Sequence, residues 1–223
     1  MPEQQASVLE PVQIEIWSDV VCPWCYIGKR RLEQALAAEP GPVHITHRAF
    51  QLDPGASSEG RRTVEVLAQK FRTGPQQVAQ MMSQVTQVAS SVGLEYQLDH
   101  TLSGNTAPAH RLLLWAQDLG KGQELLEALY AGYFTDALPI FTADDLMPFV
   151  EQVGLDTDAA RFLLAADDYL DRVISDQQVA AELGATGVPF FVLDARLGIS
   201  GAQPAEVFSQ ALVRARQART EEG

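Results

Sequence analysis

A dithiol, Cys22-Pro23-Trp24-Cys25, stands where a strand pattern gives way to a helical one. Val12, Ile14 and Ile16 alternate with polar residues, as a half-buried strand does. Behind them Cys25, Leu32 and Leu36 fall at i, i+7 and i+11, on one helical face. The chain has 2 cysteines in 223 residues, and both belong to this tetrad. A Cys-x-x-Cys at a strand-to-helix junction reads as a redox centre. As a staple it would do little, because closing so short a loop removes little chain entropy.

The pattern around the dithiol predicts a β-α-β unit. Val12–Ser18 is its first strand, Pro23 to about Ala38 its helix, and Val43–Phe50 its second strand, after Pro40-Gly41-Pro42. A short helical crossover favours a parallel pair. The middle of the chain is helical. Apolar residues recur at helical spacing over 64–71, 78–92, 112–119 and 125–134, and Thr142 with Asp145 forms a capping box for a helix through Val153. Two more helices are expected near 159–166 and over 167–183. Gly184 fits a helix end, Pro189–Leu193 a short strand, Asp194–Arg196 a hairpin turn, Leu197–Ser200 a return strand and Glu206–Arg216 a last helix.

The fold class that follows is α/β. A β-α-β half and a β-β-α half, residues 10–55 and 184–218, form one sheet, and 56–183 is a helical insertion that includes the helix leading back. With 46% hydrophobic residues the chain can bury a core of that size. A net charge of −13 argues against nucleic acid and anionic membrane as partners, since phosphate contacts need Lys and Arg. Met1–Gln13 lacks the charged and apolar regions of a secretory signal, and no apolar run has the length of a membrane span, so the expected compartment is cytoplasmic.

The thiolate is the nucleophile in disulfide exchange. Cys22, at the helix N-terminus, is the expected attacking sulfur, because unpaired N–H groups and the helix dipole favour negative charge there. Cys25, one turn further in, is the expected resolver. Pro23 suits the first helical turn, and Trp24 offers a partly exposed apolar neighbour for a partner polypeptide. Asp19 reads first as the cap of this helix and second as a proton carrier for Cys25. His44 and His47 do not complete a zinc site with the cysteines, because residues three apart on a strand point to opposite faces, and no metal is expected. Val188-Pro189 opens an apolar strand. Trp115, Phe134 and Phe141 read as core, Met81 and Met82 as packing, and Arg214, Arg216 and Arg219 as a solvated helix end.

Four segments together resemble the FrnE-like branch of the DsbA family: Ile14–Gly28 with its Ser-Asp-Val-Val-Cys-Pro-Trp-Cys core, Asn105-Thr106-x-x-Ala109-His110-Arg111, Gly187-Val188-Pro189-Phe190-Phe191, and Ile199-Ser200-Gly201-Ala202-Gln203. The resemblance runs over about residues 12–216. It implies a thioredoxin fold with a helical insertion and a dithiol–disulfide oxidoreductase or isomerase. The catalytic pair is then Cys22 and Cys25, and a cis Pro189 behind Val188 exposes backbone to an extended substrate. It further implies protein thiols and disulfides as partners, glutathione as a candidate co-substrate, no resident cofactor, and a monomer or homodimer. Asp19, Pro23, Trp24, Asn105 and His110 become neighbours of the site; Asn105 reads equally as a helix cap, and His110 as an ordinary partly buried side chain. Some members carry a second cysteine pair, which this chain lacks. The superfamily also holds 2-hydroxychromene-2-carboxylate isomerases and kappa-class glutathione transferases, which makes a glutathione-dependent isomerase or transferase the alternative. A non-enzymatic redox sensor or holdase is the second alternative.

Overall fold

The computed structural model describes residues 10–222, with side chains described as far as Arg219. Residues 1–9, most of the Met1–Gln13 segment expected not to be a secretory signal, lie outside the described residues. In chain order the elements are β1 (Val12–Ser18), α1 (Pro23–Ala38), β2 (Val43–Ala49), β3 (Arg61–Arg62), α2 (Thr63–Phe71), α3 (Pro75–Ser90), β4 (Leu102–Ser103), α4 (Ala107–Asp118), α5 (Gly122–Phe134), α6 (Ala143–Gln152), α7 (Thr157–Ala165), α8 (Leu170–Glu182), β5 (Phe190–Leu193), β6 (Leu197–Ser200) and α9 (Ala205–Glu222).

The main sheet has the order β2-β1-β5-β6. Strands β1 and β2 run parallel, as one helical crossover dictates, and β5 and β6 are antiparallel to their neighbours. This is the α/β arrangement expected. The alternating residues of β1 decide its faces. Val12, Ile14 and Ile16 point to one side, where Leu32 and Ala35 of α1 and Phe208, Ala211 and Leu212 of α9 cover them. Trp17 points to the other side, against Phe190, Val192 and Ala180 of α8, and donates its indole N–H to the Asp176 carbonyl at 2.8 Å. The core of the helical segment is larger and aromatic, built on Tyr26, Tyr130, Tyr133, Phe134 and Phe141, and it runs without a break into Cys22 and Cys25.

Strand β2 is a sheet edge, and unpaired edge groups cost free energy when covered by protein. Side chains supply the missing strand. Gln117 of α4 accepts from the His47 N–H at 2.8 Å and donates to the His47 carbonyl at 3.4 Å. Asp176 accepts from the Ala49 N–H at 2.9 Å, and Gln177 exchanges both bonds with Gln51. Residues 47, 49 and 51 share one strand edge, so three side chains from two helices continue the ladder. Burial pushes the Asp176 carboxyl up despite Arg48 and the Ala49 N–H.

Several sequence expectations need correction. The short ladder β3–β4 was not expected, because two-residue strands carry no periodicity. Helix α8 begins at Leu170 rather than Asp167, since Tyr169 takes a left-handed conformation, φ 65°. Met81 is exposed, while Met82 packs. Of the last arginines only Arg214 is exposed as expected; Arg216 donates to the Glu39 carbonyl at 3.0 Å, and Arg219 clamps Asp194 in the hairpin turn. Trp115 packs against the core at partial burial.

His44 is exposed and His47 buried, as their opposite faces require. Both His47 ring nitrogens are buried without a hydrogen-bond partner. Burial, with Lys29 adding to it and Gln123 opposing, pushes its pKa down from 6.5 to about 4. The unfolded chain takes up this proton near pH 6.5 and the folded chain only near pH 4, so acid favours unfolding across that window. At ~1.4 kcal/mol per unit, the loss is roughly 3 kcal/mol. In urea titrations His47→Leu is expected to remove that part of the decline between pH 6.5 and pH 4. Parallel pH dependences for the two proteins would refute it.

Candidate active site

Strand β1 ends at Ser18, and the chain turns through Asp19–Cys22, closed by the Cys22 N–H on the Asp19 carbonyl at 3.0 Å. Cys22 is the N-cap of α1, with extended backbone (φ −89°, ψ 111°), and Pro23 opens the helix where an N–H would go unused. The Cys25 N–H closes the first turn on the Cys22 carbonyl at 2.9 Å. The sheet thus delivers the dithiol to the end of its central strand and the mouth of a helix.

Both sulfurs are free thiols and both residues are buried, Cys22 to 4% and Cys25 to 3% exposure. Their surroundings differ. The Cys22 thiol donates to the Val188 carbonyl at 3.6 Å, and the Val188–Pro189 peptide is cis. Pro189 reaches the dithiol helix because Gly28 has no side chain; a Cβ there would meet Pro189 Cγ at 3.0 Å and Phe191 Cζ at 3.2 Å. Cys25 sits behind, in the aromatic core. Burial pushes its thiol well above the usual range, and the hydrogen bond and charge of Cys22 add to this; a backbone hydrogen bond from Asp19 opposes it, while the charge of Asp19 adds to it. Trp24 is 39% exposed beside the pair.

The expected cap role of Asp19 is overturned. Cys22 holds the N-cap position, and the Asp19 side chain turns inward at 1% exposure. One oxygen accepts from the Leu52 N–H at 2.8 Å, and the other lies 3.2 Å from His110 Nε2. His110, at 3% exposure, comes from α4. Asn105 serves the start of that helix. Its side-chain oxygen accepts from the Ala107 N–H at 2.9 Å and from Gln51 Nε2 at 3.2 Å, and its amide donates to the Pro54 carbonyl. The structure therefore gathers Cys22, Cys25, Val188, Pro189, Asp19, Pro23, Trp24 and His110 around one turn. Asn105 stands one step out, holding α4 to the loop that follows β2.

Three residues at the site escaped the sequence reading. Tyr96 donates to the Pro23 carbonyl at 2.8 Å and so ties the insertion to the first turn of α1. Tyr26 stacks on Tyr130 at 4.8 Å between ring centroids. Gly28 is a glycine inside a helix, which is itself a signal of close approach; Tyr96 gave none, because it lies in a loop far along the chain. Among the described residues, no group of three or more His, Cys, Asp or Glu side chains is placed to hold a metal. No helix among them is long and apolar enough to cross a membrane.

The family model of the DSBA-like thioredoxin domain matches residues 13–213. A solved structure of a probable DsbA oxidoreductase from Streptomyces coelicolor is 42% identical, with a TM-score of 0.87, and the match covers 92% of this chain and 89% of that one. The uncharacterized protein YwbO of Bacillus subtilis is 25% identical over 203 residues, 90% of this chain and 96% of its own length. The cytosolic disulfide reductase DsbM of Pseudomonas aeruginosa, solved with GSH, shares the fold at 16% identity and a TM-score of 0.61, over 94% of this chain and 98% of that one.

Proposed function

We propose that this chain, which belongs to the DSBA-like thioredoxin domain family, is a dithiol–disulfide oxidoreductase or isomerase of the FrnE-like branch, acting on protein substrates. The observation that carries the reading is the seating of Cys22 Sγ 3.6 Å from the Val188 carbonyl, with Cys25 buried behind it. An extended substrate segment pairing with the Val188 backbone, as an added strand does, would bring its own sulfur over Cys22. The Cys22 thiolate then attacks one sulfur of the substrate disulfide, and the other sulfur leaves as a thiolate. Cys25 attacks Cys22 of the mixed disulfide, releasing the second substrate thiol and leaving Cys22 and Cys25 oxidised. Run backwards, the same two steps oxidise a substrate dithiol.

Glutathione is proposed as a small-thiol co-substrate, supported by the GSH carried by DsbM in the same fold. A cytoplasmic location belongs to the same proposal, supported by cysteines that serve the site and not a structural disulfide.

Insulin reduction by dithiothreitol and reactivation of scrambled ribonuclease test the reading. The wild-type chain is expected to accelerate one or both, and Cys22→Ser to return each to the uncatalysed rate. Equal behaviour of the two proteins in both assays would sink it. Turnover of small electrophiles with glutathione, without either protein assay, would favour a glutathione-dependent transferase instead.

A further inference from the structure

An extended substrate that pairs with the backbone at Val188 needs that backbone at a fixed distance from Cys22. From upstream the segment is weakly held. The chain arrives from α8 through residues 184–187, and a Cβ on Gly187 would meet nothing within 4 Å. From downstream the hold is firm. The Pro189 carbonyl accepts from the Gly201 N–H at 2.8 Å, and β5 pairs with β1 on one side and β6 on the other. Gly201, at φ 79°, turns the chain out of β6 into a short loop before α9. Gln203 closes that loop, its N–H donating to the Gly201 carbonyl at 2.9 Å and its side-chain amide to the Ser200 carbonyl at 2.9 Å.

The same loop is tied to the dithiol helix at two points. The first is Gly28, where a Cβ would meet Pro189 and Phe191 and would stand 3.5 Å from Ala202 Cβ. The second is Arg31, half-buried on α1, whose guanidinium donates to the Ala202 carbonyl. Its neighbours Lys29 and Arg30 both meet Glu33 and Glu127. Arg31 forms no ion pair among the described residues, and its charge is committed to one backbone carbonyl. A hydrogen bond from a charged donor is roughly twice as strong as a neutral one. Arg31 and Cys22 stand roughly 13 Å apart along one helix.

We infer that Arg31 is a positioning residue for substrate capture: it clamps the 201–203 loop to the dithiol helix and, through the Gly201–Pro189 hydrogen bond, sets where the Val188 backbone stands opposite Cys22. The inference rests on the dithiol exchange proposed above. The helix that carries the nucleophile and the segment that receives the substrate then keep one spacing. The clamp acts on a disulfide presented by an extended polypeptide. It does not act on a disulfide too small to reach along the backbone. The chemistry at Cys22 is left to its own turn, closed by the Cys22 N–H on the Asp19 carbonyl and the Cys25 N–H on the Cys22 carbonyl.

Insulin and Ellman's reagent, used on the full chain, separate capture from chemistry. Arg31→Met keeps an unbranched apolar stem and removes the donor. It is expected to raise KM for insulin reduction about 10-fold, the scale of one hydrogen bond from a charged donor. With kcat within about two-fold of wild type, that is the mark of lost binding rather than lost transition-state stabilisation. The rate at which Cys22 releases the first thionitrobenzoate from Ellman's reagent is expected to change far less than KM for insulin. Arg31→Lys keeps a charged donor and is expected to recover at least half of the loss. Amide exchange at Gly201 is expected to accelerate in Arg31→Met, while exchange at Cys25 stays as in the wild type. A wild-type KM for insulin, equal losses with insulin and Ellman's reagent, or unchanged exchange at Gly201 each overturns the inference. A wild-type chain that reduces no insulin and reactivates no scrambled ribonuclease instead defeats the proposed function, and the inference falls with it.

Discussion

Cys25→Ser is expected to lose nearly all turnover while accumulating mixed disulfides on Cys22. Two features of the site require this order of events. Cys25 lies in the aromatic core, and burial, then the hydrogen bond and charge of the neighbouring Cys22, hold its thiol protonated. It therefore does not compete with Cys22 for an incoming disulfide. Once Cys22 is bonded to substrate sulfur, its negative charge is gone, and with it one of the influences that kept Cys25 protonated. The resolver is thus released by the formation of its own target. Serine at position 25 fills nearly the same space but forms no disulfide, so the second step stops. Incubating Cys25→Ser with cell lysate and separating the products without reductant is expected to show thiol-reversible adducts that Cys22→Ser lacks. Mass spectrometry identifies what is bound. Protein adducts support a protein disulfide substrate, and glutathione adducts alone would shift the reading to small thiols. No adduct of either kind would contradict the assignment of Cys22 as the attacking sulfur.

Much of this frame was legible in the residue order, for identifiable reasons. Strand β1, helix α1 and strand β2 carry their own periodicity, and the capping box at Thr142 and Asp145 is a local motif that the structure contains as read. The dithiol was legible from count and spacing alone. What stayed hidden depends on partners far along the chain. Asp19 looks like a helix cap until His110 and Leu52 arrive to take both its oxygens. Arg216 and Arg219 look solvated until the helix that bears them is laid against Glu39 and Asp194. The edge of β2 shows why such partners escape a sequence reading. Gln117, Asp176 and Gln177 are ordinary polar residues on helix surfaces, and only the folded geometry aligns them with residues 47, 49 and 51.

Arg111→Met is expected to cost about 3–5 kcal/mol, because it strips a charged donor from several buried and half-buried carbonyls at about 1–3 kcal/mol for each one left unsatisfied. Arg111 is only 7% exposed, and its guanidinium finds no carboxylate among its hydrogen-bond partners. Burial lowers its pKa from the ordinary arginine value, with Asp167 and Asp168 opposing through their charge. Its donors reach the carbonyls of Leu163, Leu164, Ala166 and Asp168. These are the carbonyls that end α7 and begin the turn into α8, groups that a helix terminus leaves without partners of its own. Methionine would fill much of the volume and satisfy none of them. The left-handed Tyr169 that redirects the chain would lose its support, and α8 carries the Asp176 and Gln177 that seal the β2 edge. Two readouts follow. The melting temperature is expected to fall by about 10 °C, at the 2–4 °C per kcal/mol usual for a chain of this length. Amide exchange at Ala49 and Gln51 is expected to accelerate more than exchange in β5, which keeps its strand partners on both sides. Arg111→Lys keeps the charge but replaces the planar fork with a single ammonium, so it is expected to recover less than half of the loss. A melting temperature within 2 °C of wild type for Arg111→Met, or uniform exchange across the sheet, would show that the four carbonyls are satisfied some other way.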